Sequence, residues 1–301
     1  MILVAGATGM VGGEVCRRLR SLGKPVRALV RPASNAEKVS ALQALGCELV
    51  TGDVRYRTAL DAACQGADTV ISTISSMPFS WNPPDNTIET VDRQGLQTLI
   101  DAAQNAGVSQ FIDVTFSGNI DSDFPLRNAK RAVETHLKQS GLRYTILRPS
   151  CFAEVWLGPA VGFDYANASA AIYGAGHNPV SWISFADVAA FAVAAVGNPA
   201  AYNAVIELGG PEALSPLEAV AIFEELSGRH FAVQHVPEDA LVQQQAAAPN
   251  DMQRSFAALM RHVALGDAIP MEATLRTFPV PLTSVRDYAA RMLGAPAPVT
   301  N

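Results

Sequence analysis

The sequence contains little charge and few lysines. Charged residues make up 17% of its 301 residues, and lysine occurs at only four positions, 24, 38, 130 and 138. The formal net charge is −6 and there is no basic run interleaved with aromatic residues, so we expect no nucleic-acid partner. No run of eighteen apolar residues occurs, and an apolar strand begins at residue 2. We therefore expect a cytoplasmic protein with no membrane partner.

The cysteines and histidines lack the spacings that are typical of metal and redox sites. The four cysteines form no CxxC pair, and the five histidines form no HxxxH pair. We therefore expect buried, inert thiols and ordinary histidines, without a metal site or a disulfide.

Glycines stand where the first predicted strand meets the first predicted helix. The strand Ile2–Ala5 is followed by glycines at 6, 9 and 12 in a GxxGxxG spacing, then by an apolar helix stripe and a second strand, Val26–Val30. Gly6 permits a sharp turn, Gly9 permits close approach of the backbone to a pyrophosphate, and Gly12 permits close helix packing. Since a helix start offers unpaired N–H donors, the unit predicts a dinucleotide site. A tight turn without a ligand is the alternative.

The residue that ends the second strand indicates which dinucleotide is bound. An acidic residue there would bind the ribose hydroxyls of NAD, whereas a cation can pair with the 2′-phosphate of NADP. The chain has Arg31 at this position and no carboxylate until Glu37. We therefore predict NADP(H), although Arg31 could instead be a solvated strand end.

Strands and helices continue to alternate along the first half of the chain. Strands are predicted at Glu48–Thr51, Asp68–Ile74, Gln110–Thr115 and Tyr144–Leu147, with helices near Glu37–Leu45, Thr58–Cys64, Ile88–Ala106 and Arg127–Gln139. This alternation predicts an α/β fold with a Rossmann-type, doubly wound parallel sheet covered on both faces.

The second half predicts a smaller, mostly helical substrate lobe. Residues 150–182 lack a regular pattern, a helix from Ser184 and a strand at Asn203–Leu208 return to the sheet, and Ser215–Glu218 is a capping box. We predict a dinucleotide-binding domain from 1–149 plus about 183–210, a lobe from about 150–182 plus 211–294, and a frayed tail at 295–301. Helices in the lobe are predicted from Ser215 to about Ser227, at Pro237–Ala247, at Asp251–Leu265 and at Ser284–Leu293.

Six segments resemble the atypical, NmrA-like branch of the short-chain dehydrogenase/reductase superfamily, including its quinone-oxidoreductase and isoflavone-reductase-like members. They are spread over the first two hundred residues in the family's order. The segments are Gly6–Gly12, Leu29–Arg31, Gly52–Val54, Asn128–Glu134, Ser140–Pro149 and Phe185–Ala189.

The resemblance implies a set of cofactor contacts. Asp53 is expected near the adenine, the segment with Thr73 and Ser75 under the riboses, and Phe152 beside the nicotinamide. The alternatives are that Asp53 only caps a turn and that Phe152 belongs to the core. The implied cofactor-binding set is Gly6, Thr8, Gly9, Met10, Val11, Arg31, Asp53, Val54, Thr73, Ser75, Lys130 and Phe152.

The usual catalytic acid of the superfamily is absent. Main-branch reductases carry Tyr-x-x-x-Lys, but here Leu126 stands four residues before Lys130, the lysine that matches the family. Hydride delivery to an isolated ketone needs a positioned acid, whereas a quinone or other conjugated acceptor gives a delocalised anion that hydrogen bonds and nearby charge can stabilise. We therefore predict Lys130 as the catalytic residue. A ribose contact, or a surface lysine paired with Glu134, is the alternative.

The substrate pocket is expected between the sheet edge and the lobe, lined by aromatic side chains that suit a flat molecule. The leading hypothesis is an NADPH-dependent oxidoreductase acting on quinone-like or other conjugated molecules, as a monomer or homodimer. The second is an NADP(H)-sensing regulatory or assembly protein without turnover. A sugar-nucleotide epimerase would need the missing tyrosine. Candidate pocket residues are Phe79, Trp81, Phe116 and Trp156, with Tyr165 and Trp182 as further candidates.

Overall fold

The computed structural model describes residues 1–77 and 86–294. The predicted pocket residues Phe79 and Trp81 and the predicted frayed tail lie outside the described residues. By internal contacts the chain divides into two compact units. Unit 1 comprises 1–116, 123–148 and 188–206, and unit 2 comprises 117–122, 149–187 and 207–301. The functional roles predicted for these parts of the chain remain predictions.

A seven-stranded sheet forms the centre of unit 1. The strands run in the order β3-β2-β1-β4-β5-β6-β9, and all pairings described among the first six are parallel. The order 3-2-1-4-5-6 is that of the Rossmann fold, so the predicted fold class is confirmed. The strands are β1 (Ile2–Ala5), β2 (Val26–Val30), β3 (Glu48–Thr51), β4 (Thr69–Ser72), β5 (Gln110–Val114), β6 (Arg143–Pro149) and β9 (Ala204–Leu208).

Helices flank this sheet and supply the apolar side chains that bury it. Leu3 on β1, Leu99 on a flanking helix and Phe111 on β5 are fully buried members of one core cluster, as expected for strands covered on both faces. The helices are α1 (Met10–Ser21), α2 (Ala36–Ala44), α3 (Arg57–Cys64), α4 (Leu96–Asn105), α5 (Pro125–Gln139) and α7 (Phe185–Ala195).

The helix predicted over Ile88–Ala106 is not regular throughout. Its first part, Ile88–Gly95, is π-helical, and a regular α-helix follows at Leu96–Asn105. Gly95 lies at the junction, where an added Cβ would approach Val54 Cγ2 to 2.7 Å. The wide turn thus fits the close packing between this segment and the loop after β3.

Unit 2 contains helices and a small sheet that the sequence pattern did not predict. The strand order is β10-β8-β7, with β10 parallel and β7 antiparallel to β8. The expectation of an irregular segment at 150–182 was wrong, because a short helix and two strands lie there. The unit 2 elements are α6 (Ala153–Trp156), β7 (Phe163–Asp164), β8 (Ser169–Tyr173), α8 (Pro216–Ser227), β10 (Ala232–Val236), α9 (Glu238–Ala247), α10 (Asp251–Leu265), α11 (Glu272–Thr277) and α12 (Val285–Leu293).

Local signals placed the long helices of unit 2 well. The Ser215–Glu218 capping box is present, with the serine side chain accepting from the Glu218 N–H and the glutamate accepting from the Ser215 N–H. The helices then pack aromatic side chains inward, and Phe223 contacts Phe163 and Phe231 with ring centroids 4.9 and 6.2 Å away. No helix among the described residues has the length and apolar character needed to cross a bilayer.

Candidate functional site

The turn between β1 and α1 is built by the three predicted glycines. Gly6 has φ of +85°, a left-handed conformation that favours glycine, and the Gly9 N–H donates to its carbonyl at 2.8 Å. A Cβ on Gly12 would lie 2.2 Å from the Gly6 carbonyl oxygen, and one on Gly6 would lie 2.6 Å from Thr73 Oγ1. The helix therefore approaches the turn more closely than any side chain would allow.

The start of α1 has no side-chain cap. The N-cap residue is Gly9, which supplies no side-chain cap to the first N–H groups of the helix. Met10 is exposed and Thr8 is half-buried, whereas the Val11 side chain is buried. A cofactor contact at Val11 therefore has to use its backbone.

Arg31 is exposed at the carboxyl end of β2, and its backbone N–H donates to Ser34 Oγ at 3.0 Å. Within the described part of the chain, its guanidinium makes no hydrogen bond and no ion pair. The acid that could instead contact the adenosine ribose is Asp53, on the loop after β3. A guanidinium with free donors at this strand end suits a 2′-phosphate.

Asp53 is buried and already engaged. Its carboxylate accepts three hydrogen bonds from Arg55, two from the guanidinium at 2.9 Å and one from the backbone N–H at 3.0 Å. Burial opposes ionisation, but these bonds and the charge of Arg31 lower the pKa of Asp53. The Asp53 carboxylate thus stabilises the turn that contains Arg55. If it also contacted an adenine, it would do so while bonded to Arg55. Its neighbour Val54 is buried against Gly95.

The segment after β4 passes directly beneath the glycine turn. Thr73 is half-buried, its N–H donates to the Ala5 carbonyl at 3.0 Å, and its hydroxyl lies 3.4 Å from the Gly6 carbonyl. Ser75 is exposed and accepts from the Met77 N–H at 3.2 Å. Thr73 therefore belongs to the glycine turn, which the spacing alone could not show.

Lys130 is almost fully buried on α5. Its ammonium donates to the Ile74 carbonyl at 2.9 Å and lies 3.3 Å from Asp92 Oδ1. Asp92 is fully buried and also accepts hydrogen bonds from the N–H and hydroxyl of Ser76. The alternative of a surface lysine paired with Glu134 is therefore wrong. Lys130 ties α5 to the Ile74–Ser76 segment, and its charge is shared with a buried carboxylate.

A second buried acid, Asp113 on β5, belongs to the same region. Neither of its oxygens has a hydrogen-bond partner among the described residues. Burial raises the pKa of Asp113 to about 6, opposed by the charge of Lys130 and by the nearby Ser72 hydroxyl, and assisted by Glu134 and Asp92. Sequence reasoning missed both Asp92 and Asp113. The signal for Asp113 was an acid inside an otherwise apolar strand.

Glu134, one turn after Lys130 on α5, is hydrogen-bonded to residues other than Lys130. It accepts from Thr115 Oγ1 at 2.9 Å, from Arg131 at 2.6 Å, and from the Arg148 guanidinium. Burial opposes ionisation, but these donors lower the pKa of Glu134. Leu126, at the position of the family's tyrosine, is a buried apolar side chain.

The described pocket candidates lie in both units, and each is described by its contacts within its own unit. Phe116 is half-buried in unit 1, stacked on Phe124 at 6.4 Å and covered by the Arg131 guanidinium at 5.1 Å. Phe152 in unit 2 packs on Phe185, with ring centroids 4.3 Å apart. Trp156, also in unit 2, stacks on Phe256 at 6.3 Å and lines a cavity of about 10 Å³, room for one water.

The sheet order, the glycine turn and the free arginine after β2 define a dinucleotide-binding α/β protein of the Rossmann class. The comparison with known families is more specific. The sequence profile of the NmrA-like family matches residues 1–288, and the chain belongs to this family.

Individual relatives carry reductase and assembly-factor names. The chain is 33% identical to the NAD(P)H azoreductase of Xenophilus azovorans over 230 residues, which is 76% of this chain and 74% of that protein. It is 29% identical to the photosystem II assembly factor Ycf39 of Trieres chinensis over 238 residues, covering 78% of this chain and 72% of that protein. The Escherichia coli NADPH-dependent quinone oxidoreductase in complex with NADPH has the same fold, with a TM-score of 0.78, 23% identity, and coverage of 97% of this chain and 99% of that one.

Proposed function

We propose that the protein is an NADPH-dependent oxidoreductase that delivers hydride to a quinone-like or other conjugated small molecule. The observation that carries this proposal is the β1–α1 turn, where the Gly12 position leaves no room for a Cβ and the first N–H groups of α1 have no side-chain cap. Both features suit a pyrophosphate that contacts backbone rather than side chains. NADPH, when bound, supplies the hydride.

The phosphorylated coenzyme is favoured by Arg31. Its guanidinium has free donors, whereas Asp53, on the loop after β3, is occupied by Arg55. An acid that already accepts three hydrogen bonds is a poor partner for the ribose hydroxyls of NAD, while a free guanidinium can pair with a phosphate.

The substrate class follows from what Lys130 can and cannot do. With Leu126 at the position of the family's tyrosine, that phenol is not there to protonate an alkoxide, and the lysine ammonium is held by the Ile74 carbonyl and Asp92. Lys130 therefore serves to orient the cofactor ribose and to place a partly neutralised charge near the reacting ring. That is sufficient for an acceptor whose anion is delocalised. The naming of relatives for azo and quinone reduction is consistent with conjugated acceptors.

Turnover with a panel of quinones and azo compounds tests this function, with NADPH oxidation as the readout. Lys130→Met is expected to lower kcat/KM about 100-fold, whereas Lys138→Met, at an exposed position of the same helix, should leave it unchanged. Because Lys130→Met leaves Asp92 buried without its cation, the double variant with Asp92→Asn is measured beside it, with thermal unfolding as the check on folding. Equal kcat/KM in wild type and both Lys130 variants would remove the lysine from the mechanism.

The coenzyme preference is tested by Arg31→Asp. We expect NADP⁺ binding to weaken about 10–100-fold, the value of a hydrogen-bonded charge, with NAD⁺ binding unchanged or improved. The control is Lys24→Asp. It makes the same change of charge, but Lys24 precedes the first residue of β2 instead of following the last. Calorimetric titration measures both coenzymes, and equal losses for the two would contradict a 2′-phosphate contact at Arg31.

A second candidate function is a dinucleotide-sensing assembly or regulatory protein. It is favoured by the missing tyrosine and by the similarity to a photosystem II assembly factor. Tight NADP(H) binding without turnover on any acceptor of the panel would support this function over the reductase.

A further inference from the structure

A compact polar cluster lies inside unit 2. Its centre is Asp267, which is nearly fully buried. Cys151, His262 and Asp267 are all buried, and their sulfur, imidazole nitrogen and carboxylate oxygen atoms lie within 4.8 Å of one another. The spacing rule could not show this cluster, because Cys151 is distant in the sequence from His262 and Asp267.

Local structure brings two of the three groups together. His262 lies in the last turn of α10, and Gly266, with φ of +92°, ends the helix while its N–H donates to the His262 carbonyl. The chain then turns back, so that Asp267 Oδ2 lies 3.4 Å from His262 Nε2. Cys151 is positioned by its own backbone, whose carbonyl accepts from the Ile183 N–H at 3.0 Å.

The Asp267 carboxylate is fixed in its orientation by neighbouring donors. Ser117 Oγ at 2.7 Å and Asn119 Nδ2 at 2.8 Å donate to Oδ1, and Ser150 Oγ at 2.7 Å donates to Oδ2. These bonds orient the remaining lone pair of Oδ2 without help from His262. Metal-ligating carboxylates are commonly held in this way by a second layer of hydrogen bonds.

His262 Nε2 is the unsatisfied atom of the cluster. It is buried and has no hydrogen-bond partner among the described residues, although the Oδ2 atom of Asp267 lies close by. A buried imidazole nitrogen facing a carboxylate oxygen without an aligned hydrogen bond is costly unless a cation lies between them. The separation of 3.4 Å is close to that of two ligands in a tetrahedral site, about 3.4 Å for metal bonds of about 2.0–2.2 Å.

We propose that Cys151 Sγ, His262 Nε2 and Asp267 bind a divalent transition metal of the zinc type. A thiolate, an imidazole and a carboxylate are the ligands that Zn²⁺ takes, and one soft sulfur disfavours Mg²⁺ and Ca²⁺. On binding, the thiol loses its proton to solvent, so the thiolate and the carboxylate together balance the charge of the ion. Three protein ligands leave the fourth position for water or a small ligand.

The competing structure is a purely protonic network. In that arrangement His262 carries a second proton and forms an ion pair with Asp267, while Cys151 is a packed thiol that takes no part. The two structures differ in whether the sulfur is bonded to the ion, so the experiment must observe the sulfur.

Titration of the chelator-treated full chain with Co²⁺ makes that observation. We expect a thiolate-to-cobalt charge-transfer band, tetrahedral visible absorption, and displacement of cobalt by Zn²⁺. Cys151→Ala should abolish the band and weaken binding more than about 100-fold, because changes in the second layer alone cost about 10–100-fold. Cys64→Ala, at another buried cysteine but in unit 1, should leave both unchanged.

Asn119→Ala keeps the test decisive if loss of a buried ligand impairs folding. Asn119 is exposed, and its amide donates to the Asp267 carboxylate and, at 3.5 Å, to the Ala268 carbonyl. It is not a proposed ligand, so its loss should keep the fold and the band while weakening cobalt binding about 10-fold. Absence of the band in the wild type, or the same band in Cys151→Ala, would overturn the proposal in favour of the protonic network.

Discussion

Two buried carboxylates in unit 1, Glu134 on α5 and Asp113 on β5, have opposite surroundings. Glu134 accepts hydrogen bonds from Thr115, Arg131 and Arg148, whereas neither oxygen of Asp113 has a partner among the described residues. Both are buried, at 2% and 0% exposure, so burial alone does not decide their ionisation. The number of donors aimed at each carboxylate does.

The contrast has opposite consequences for stability at different pH. The pKa of Glu134 is lowered, so its stabilising contribution is present above its ordinary value of 4.5 and is lost as the pH falls through the lowered value. The pKa of Asp113 is raised to about 6 from an ordinary 3.8. Its protonated form favours the folded state, so the contribution is fully present below 3.8 and is lost as the pH rises to 6.

The largest expected effect is that of Glu134→Gln. The change leaves two arginines without their carboxylate, and we expect a loss of about 3 kcal/mol in the free energy of unfolding at pH 7. Glu48→Gln, which removes the exposed partner of Arg27, should cost less than about 1 kcal/mol. Denaturant unfolding measures both, and the Glu134 deficit should shrink in acid. Similar small losses for the two variants would mean that the Glu134 network contributes little.

Asp113→Asn should act in the opposite direction. Removing a carboxyl that is costly to ionise is expected to raise the unfolding free energy at pH 7 by about 2 kcal/mol and to flatten its decline between pH 4 and 6. Asp61→Asn, on the exposed side of α3, is the control. Unfolding curves at a series of pH values provide the measurement. An unaltered pH profile would show that Asp113 does not titrate in this range.

The smallest expected effect is that of Arg131→Lys, which tests whether charge or hydrogen-bond geometry lowers the pKa of Glu134. Arg131→Lys keeps the cation but loses the planar guanidinium that contacts both Glu134 and the Phe116 ring. We expect a loss of about 1 kcal/mol. Acid titration of unfolding then reports the pKa of Glu134. If charge alone lowers that pKa, the acid midpoint of the variant will coincide with that of the wild type.

Much of unit 1 could be predicted because its signals are local. The glycines at 6, 9 and 12 sit in a short strand–turn–helix, and the closest approach, between the Gly12 position and the Gly6 carbonyl, lies within it. The parallel, doubly wound sheet followed from the alternation of strands with helices, whereas the order of its strands is known only from the structure. The π-helical turn before Gly95 was missed, because it depends on packing against Val54, which is distant in the sequence.

The partners of the buried charged groups could not be predicted. Lys130 had Glu134 one turn away on the same helix, yet its carboxylate is Asp92, supplied by another element. Likewise, β10 pairs in register with β8, more than fifty residues earlier, and neither carries a strong alternating pattern. Pairings of this kind are set by the tertiary fold, and a single sequence carries no direct trace of them.

The edge strand β9, the seventh strand of the large sheet, comes late in the sequence, at Ala204–Leu208. Unit 1 is completed only by residues 188–206, after a long segment that belongs to unit 2. During synthesis, a nascent chain that ends near Pro149 would leave β6 as a bare edge with unpaired backbone groups, open to pairing with other chains. Fragments cut at that point are therefore expected to aggregate, and any excised dinucleotide domain must carry β9 with it.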